Sequence, residues 1–214
     1  MLRALQLPTL LELAAHIVYN AQNAEPFSLY PFVAWSGLLK FQCQNLSMKI
    51  LYLLRHAKSR KDNPDLKDFE RPLAERGISD LPVMAKRFKA KNGRVDCIIC
   101  SPAVRTKTTA KMFAQEIGLP VDEIDSNPEL YFAGFNMFLK AASLLDDKYE
   151  SAMLVGHNPA ITEFANEMAN ADIDNIPTCG LLQLSLPIDT WAEIEFSKAE
   201  LVDFDYPKKI SRGQ

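Results

Sequence analysis

The stretch Ile50-Leu51-Tyr52-Leu53-Leu54 is continuously apolar and ends on the polar pair Arg55-His56. A strand wetted on one face alternates apolar and polar residues. An unbroken run of this length belongs to a strand covered on both faces. Val95 to Cys100 and Ala152 to Val155 have the same character. Helical patterns alternate with these runs: Leu81, Met84, Ala85 and Phe88; Ala110, Phe113, Ala114 and Ile117; Ile161, Phe164, Ala165 and Met168. Each set places apolar side chains on one face of a helix. Ser79 is expected to cap the first helix, with Pro82 in its first turn. Ser101 and Asn158, each followed by proline, are expected to cap the other two, and Gly118 to end the second. The alternation predicts an α/β fold, a largely parallel sheet with helices on both faces. Leu181 to Leu186 and Trp191 to Phe196, joined by Pro187-Ile188-Asp189-Thr190, predict a C-terminal hairpin at one end of that sheet.

The chain has 214 residues, 48% hydrophobic and 24% charged, enough to bury one sizeable core. A net charge of −3 gives no general attraction to nucleic acid or to an anionic membrane. No apolar run is long enough to predict a spanning helix. The irregular spacing of Cys43, Cys97, Cys100 and Cys179 predicts reduced thiols and a cytoplasmic protein, expected to be a monomer. Cys97 and Cys100 stand three apart on a strand, so their side chains should point to opposite faces and bind no common metal. Residues 1–47 carry only Arg3 and Lys40 against Glu12 and Glu25, and Pro8, Glu12 and His16 interrupt any signal-peptide core. They are expected to form a poorly ordered, non-catalytic extension before a domain spanning 48–214. The alternative is a helical interaction arm around residues 9–20.

In open α/β sheets, binding sites form beyond the carboxyl ends of the strands. The first apolar run is followed there by Arg55-His56, the second by Ser101-Pro102-Ala103-Val104-Arg105, and the third by Gly156-His157-Asn158-Pro159. Two arginines and two histidines near helix N-termini describe an anion pocket with a nucleophile. Guanidinium groups match phosphate oxygens, and helix N-termini add N–H donors. A neutral imidazole can attack phosphorus, and neighbouring cations should keep it unprotonated. A second histidine, if protonated, could donate to a phosphate oxygen. A metal would lack a third ligand here and would meet arginines that repel it, so none is expected. Gly-rich dinucleotide and P-loop patterns are absent from the sequence.

Leu54-Arg55-His56-Ala57-Lys58-Ser59 resembles the R-H-G signature of the histidine phosphatase superfamily, with Ala57 in place of glycine. Arg71-Pro72-Leu73-Ala74-Glu75-Arg76-Gly77 resembles its R-P-L-x-x-x-G segment. Ser101 to Thr106 resembles its S-P-x-x-R-[AT], and Gly156-His157-Asn158-Pro159 its G-H-N-P. The R-H-A start and compact spacing, over residues 48–207, are most similar to SixA-type phosphohistidine phosphatases. The resemblance implies a phosphoglycerate mutase-like fold, with His56 as nucleophile and Arg55, Arg105 and His157 around the phosphate. It implies no metal and no organic cofactor. Arg71 is expected at the rim, or in an ion pair with Asp62, Asp65 or Asp68. Mutase-like relatives carry a glutamate that protonates the leaving alkoxide. Here Glu129-Leu130-Tyr131-Phe132 puts Phe132 at that place, which leaves Glu129 and Asp68 as possible donors. Without a donor an alkoxide leaves poorly, whereas the imidazole of a phosphohistidine leaves more readily. The expected partner is therefore a phosphorylated protein. A small-molecule phosphomonoesterase or mutase is the alternative, and a non-catalytic phosphoprotein-binding module a more distant one.

Overall fold

The computed structural model describes residues 48–209. The expectations for residues 1–47, His16 and Cys43 among them, lie outside the described residues. Six strands form one sheet: β1 (Lys49–Arg55), β2 (Cys97–Cys100), β3 (Ile124–Ser126), β4 (Ser151–Gly156), β5 (Leu181–Leu186) and β6 (Glu200–Asp205). Their order across the sheet is β3-β2-β4-β1-β5-β6. The first four run parallel, and β5 runs against both β1 and β6. The register pairs Arg55 with Gly156 and Cys100 with Val155, so β1, β4 and β2 end side by side.

The apolar runs are buried on both faces, as their composition requires. Leu51, Leu53, Ala152 and Leu154 pack with Phe138 and Phe164, from helices α3 (Phe135–Ser143) and α4 (Ala160–Ala169). Tyr52, Leu54, Met153 and Val155 pack with Met84, Phe88 and Phe113, from α1 (Glu75–Ala90) and α2 (Val104–Ile117). Leu51, Leu53 and Leu54 are fully buried; each contributes about 2 kcal/mol through removal of apolar area from water. Cys97 belongs to the first of these layers and Cys100 to the second, so the C-x-x-C pair is split across the sheet. Burial pushes their thiols up to about 12 and about 11, as it does Cys179 to about 12.

The helix starts differ from expectation. α1 begins a turn earlier than Ser79, with Ala74 at its N-cap. The Ser79 hydroxyl donates to the Arg76 carbonyl at 3.0 Å, and Pro82 lies inside the helix. The backbone bond that Pro82 cannot make would reach Ile78, which is solvent-exposed, so water can satisfy the freed carbonyl. Gly118 does close α2, at φ 81°. The hairpin at the sheet's end is present, but its second strand is β6. Trp191–Phe196 forms a 3-10 helix. Trp191 and Ile194, three apart, are both buried, which is the period of that helix. The Trp191 indole donates to the Tyr149 carbonyl at 2.9 Å and anchors the turn. Among the described residues no helix is long and apolar enough to cross a membrane.

Candidate active site

His56 follows the last residue of β1. Its amide donates to the Gly156 carbonyl at 3.1 Å, and its carbonyl accepts from Cys179 N–H at 3.2 Å. The backbone is thus held between β4 and the loop before β5. The Ala57 amide donates to Thr109 Oγ1 at 3.0 Å, and Ala57 is fully buried. His56 Nδ1 lies 2.7 Å from the Ala57 carbonyl oxygen. A carbonyl only accepts, so Nδ1 carries the proton and Nε2 keeps its lone pair. Burial lowers the His56 pKa to about 3; the bond to Ala57 opposes this, while His157, Arg105 and Arg55 add to it. The ring is neutral at physiological pH.

The His157 ring stands 5.2 Å from that of His56, centroid to centroid. Its Nε2 is 2.8 Å from Ser101 Oγ, and its buried Nδ1 has no partner among the described residues. Burial, with Arg105, lowers its pKa to about 4, against a raising contribution from Asp68. The second histidine is therefore neutral, not a standing cation. Ser101 is not a helix cap: α2 starts after Ala103, two residues on. Asn158 is no cap either. Its amide donates to Asn175 Oδ1 at 2.7 Å and to the Ile176 carbonyl at 3.2 Å. Ser101 instead bonds His157, after the end of β4, and Asn158 bonds the loop before β5.

Arg55 donates through one terminal nitrogen to the Ile176 carbonyl at 2.5 Å and to Asn175 Oδ1 at 3.2 Å. Arg105, on the first turn of α2, is buried. It donates to the Asp68 carbonyl at 2.5 Å and to Asp68 Oδ2 at 2.8 Å. The Nε atoms of both arginines are buried and unpartnered among the described residues. Asp68 also accepts from Arg71 and, at 3.0 Å, from the Tyr131 hydroxyl. Burial opposes its ionisation, but these hydrogen bonds, Arg105 first, hold its pKa at about 2. Arg71 thus combines its two expected places, facing the pocket and ion-paired with Asp68.

These groups line one open pocket of about 390 Å³. Lys58, Lys61, Arg55, Arg71 and Arg105 contribute positive charge against the single carboxylate of Asp68. The net negative chain therefore carries a locally cationic cleft, which favours anions. Glu129 does not reach it: its carboxylate is ion-paired with Lys140 at 3.2 Å, on the side of α3. Asp68 does reach it, but as an anion with no proton to give. Phe132 sits at the mouth, 90% exposed, its ring 4.3 Å from that of Tyr131. Four participants carry no signal that singles them out in the sequence. Ser101 lies inside a recognised motif, where the proline after it suggests a cap. Lys58, two residues after His56, Lys61, and Tyr131, beside Phe132, have no spacing pattern of their own. Among the described residues no group of three or more His, Cys, Asp or Glu side chains is placed to hold a metal ion.

The family model for the Histidine phosphatase superfamily (branch 1) matches residues 51–136. An uncharacterised chloroplast protein of Arabidopsis thaliana is 30% identical over 174 residues, covering 78% of this chain and 79% of its own. Among solved structures, a candidate phosphohistidine phosphatase SixA from Agrobacterium tumefaciens superposes with a TM-score of 0.64 at 28% identity, over 74% of this chain and 98% of that one. A protein histidine phosphatase SixA complexed with tungstate shares the fold, with a TM-score of 0.63 at 17% identity, over 74% and 97% of the two chains. The chain belongs to the histidine phosphatase superfamily, whose members are phosphatases or mutases. Within it, the solved structures that the chain resembles include SixA phosphohistidine phosphatases.

Proposed function

We propose that this protein is a metal-independent phosphatase that removes phosphate from phosphohistidine in a protein, through a covalent intermediate on His56. The observation that carries this reading is the His56 imidazole. It is neutral, it has its proton tied to the Ala57 carbonyl, and it stands beside Arg55 and Arg105 with Nε2 bearing the lone pair. Nε2 attacks phosphorus as the bond from phosphorus to the leaving nitrogen breaks. The leaving imidazole takes that electron pair and departs neutral when its far nitrogen is protonated. The His56 ring, still protonated at Nδ1, becomes cationic on phosphorylation, and the Ala57 carbonyl stabilises that charge. Water then attacks phosphorus, the bond to Nε2 breaks, and His56 is restored as inorganic phosphate forms. Arg55, Arg105 and His157 hold the transferring group, supplying donors where charge develops.

The substrate class is supported by what surrounds the leaving group. Glu129 is turned away, Asp68 is ionised, and Phe132 stands at the mouth. No neutral carboxyl is on hand to protonate an alkoxide. The likeness to a candidate SixA phosphohistidine phosphatase supports the same choice. A panel of phosphohistidine peptide, phosphoserine peptide and sugar phosphates, with chelator present, tests it. Fastest turnover on phosphohistidine is expected, with an acid-labile phosphoenzyme that His56→Ala does not form. Preference for sugar phosphates would replace this reading with a small-molecule phosphomonoesterase. Phosphopeptide binding without turnover would replace it with a binding module.

A further inference from the structure

Three donors in the pocket already share one carboxylate. Arg105 reaches Asp68 Oδ2 at 2.8 Å, the Tyr131 hydroxyl reaches the same oxygen at 3.0 Å, and Arg71 holds Oδ1. A planar anion bound by two guanidinium groups, one nitrogen from each, and a hydroxyl presents donors of the kind by which a phosphate would be bound. Arg105 is buried and close to the two histidines, and its carbonyl bond to Thr109 ties it to the backbone that positions Ala57. The group occupying it is not fixed in the same way. Asp68 opens a three-residue 3-10 turn, Asp68–Glu70, that has no buried residue, and its side chain is 54% exposed. The turn belongs to a loop clamped at its base by two backbone bonds, Arg60 N–H to the Pro72 carbonyl at 2.9 Å and Ala74 N–H to the Lys58 carbonyl at 2.8 Å. Between those clamps the turn is held by the Arg105 bond to the Asp68 carbonyl at 2.5 Å and by the Phe69 ring against Tyr131, so it is the exposed Asp68 side chain that can turn away without opening the core.

We propose that Asp68 is an internal stand-in for the phosphate: its carboxylate occupies donors of the anion site in the resting enzyme, leaves when substrate phosphate arrives, and returns to help expel product. This rests on reading the pocket as a phosphate site and adds the step by which that site is filled and cleared. The physical reason is charge. With substrate absent, Arg55, Arg71 and Arg105 would repel one another in a half-buried cleft, and a local carboxylate lowers that cost. Once a phosphate with greater negative charge engages Arg105, the carboxylate is repelled by it and loses its partner. The arrangement weakens substrate and product alike, because an occupied site lowers every apparent affinity by the same fraction. Its signature is therefore a uniform shift in binding.

Tungstate binding to the full chain, followed by calorimetry, tests this without requiring turnover. Asp68→Asn and Asp68→Ala should each bind tungstate about tenfold more tightly than the wild type. In steady state on an aryl phosphate, KM and the inhibition constant of inorganic phosphate should fall together. In a wild-type crystal with tungstate bound, the Asp68 carboxylate should have left Arg105. Unchanged or weaker tungstate binding in both variants would overturn the inference, as would tungstate seated with the Asp68–Arg105 contact intact. Failure of wild type and variants alike to bind tungstate would overturn the phosphate reading of the pocket as well.

Discussion

Ser101 Oγ lies 2.8 Å from Nε2 of His157, joining the end of β2 to the end of β4 by a side-chain bond. Ser101 is fully buried, and its carbonyl accepts from Thr106 Oγ1 at 2.7 Å, so the hydroxyl has a fixed origin. When it donates to Nε2, the imidazole carries its proton on Nδ1, the nitrogen without a protein partner. That proton then sits on a buried nitrogen, and the Ser101 bond fixes which way the ring faces.

Ser101→Ala should therefore slow turnover by about tenfold while the protein still folds cooperatively. The lost hydroxyl frees the His157 ring to turn and leaves a buried nitrogen unpaired, at about 1–3 kcal/mol. Steady-state rates beside thermal melts check this. A variant as fast as the wild type would mean that His157 is oriented without Ser101.

Stability should fall as pH is lowered from 7 to 5. His56 and His157 have folded-state pKa values of about 3 and about 4, below the ordinary imidazole value of 6.5. Between those limits the unfolded chain binds more protons than the folded one, so unfolding becomes easier as pH drops. The effect is absent above about pH 7.5, where both states are unprotonated. His56→Asn, which removes one such group, should show a shallower loss of melting temperature over the same range. An equal slope in variant and wild type would show that His56 is not buried as a neutral group.

Gly77 stands on α1 against the backbone after His56. A Cβ at this position would come within 2.2 Å of the Lys58 carbonyl oxygen and 2.9 Å of its amide nitrogen. Both are backbone atoms, and that carbonyl also accepts from Ala74. Gly77→Ala should cost about 2–4 kcal/mol, as overpacking against an immovable neighbour does. It should also reduce activity, since Lys58 cannot shift without moving the His56-Ala57 segment. Denaturant melts and rates measured together check this. A neutral substitution would show that helix and loop separate easily.

The glycine of the R-P-L-x-x-x-G stretch illustrates what was readable in advance and what was not. The stretch marked a site-adjacent segment, but only the close approach of α1 to Lys58 shows why a side chain is forbidden. The layered α/β plan was legible because Leu51 to Leu54 and Ala152 to Val155 are apolar on both faces, a pattern with few other solutions. The site was legible for the same reason: residues after parallel strands converge wherever those strands are neighbours. β6 was missed because Glu200, Asp203 and Asp205 break its apolar character at the sheet's edge, where one side needs no burial. The tie of Asp68 to Arg105 spans 37 residues and that of Glu129 to Lys140 spans 11 across an element boundary, and no helix or strand spacing encodes either.

The last expectation concerns the leaving group. Phe132 is at the pocket's mouth, Glu129 is ion-paired with Lys140, and Asp68 is ionised with a pKa of about 2. An oxygen leaving group must then depart with its negative charge largely uncompensated. Rates on a series of phosphate esters should fall steeply as leaving-group pKa rises, with activated aryl phosphates far ahead of alkyl ones. Phe132→Glu would place a carboxyl at the mouth of the same pocket. Crowding by Asp68 would raise the pKa of that new group, while Lys58 and Lys61 would lower it. Where it keeps a proton, it should flatten the dependence and raise the rate on alkyl phosphates by about tenfold or more. A shallow dependence in the wild type would contradict the argument at its root. It would require a proton donor within the pocket, and the Tyr131 hydroxyl, released when Asp68 moves, would be the group to substitute next.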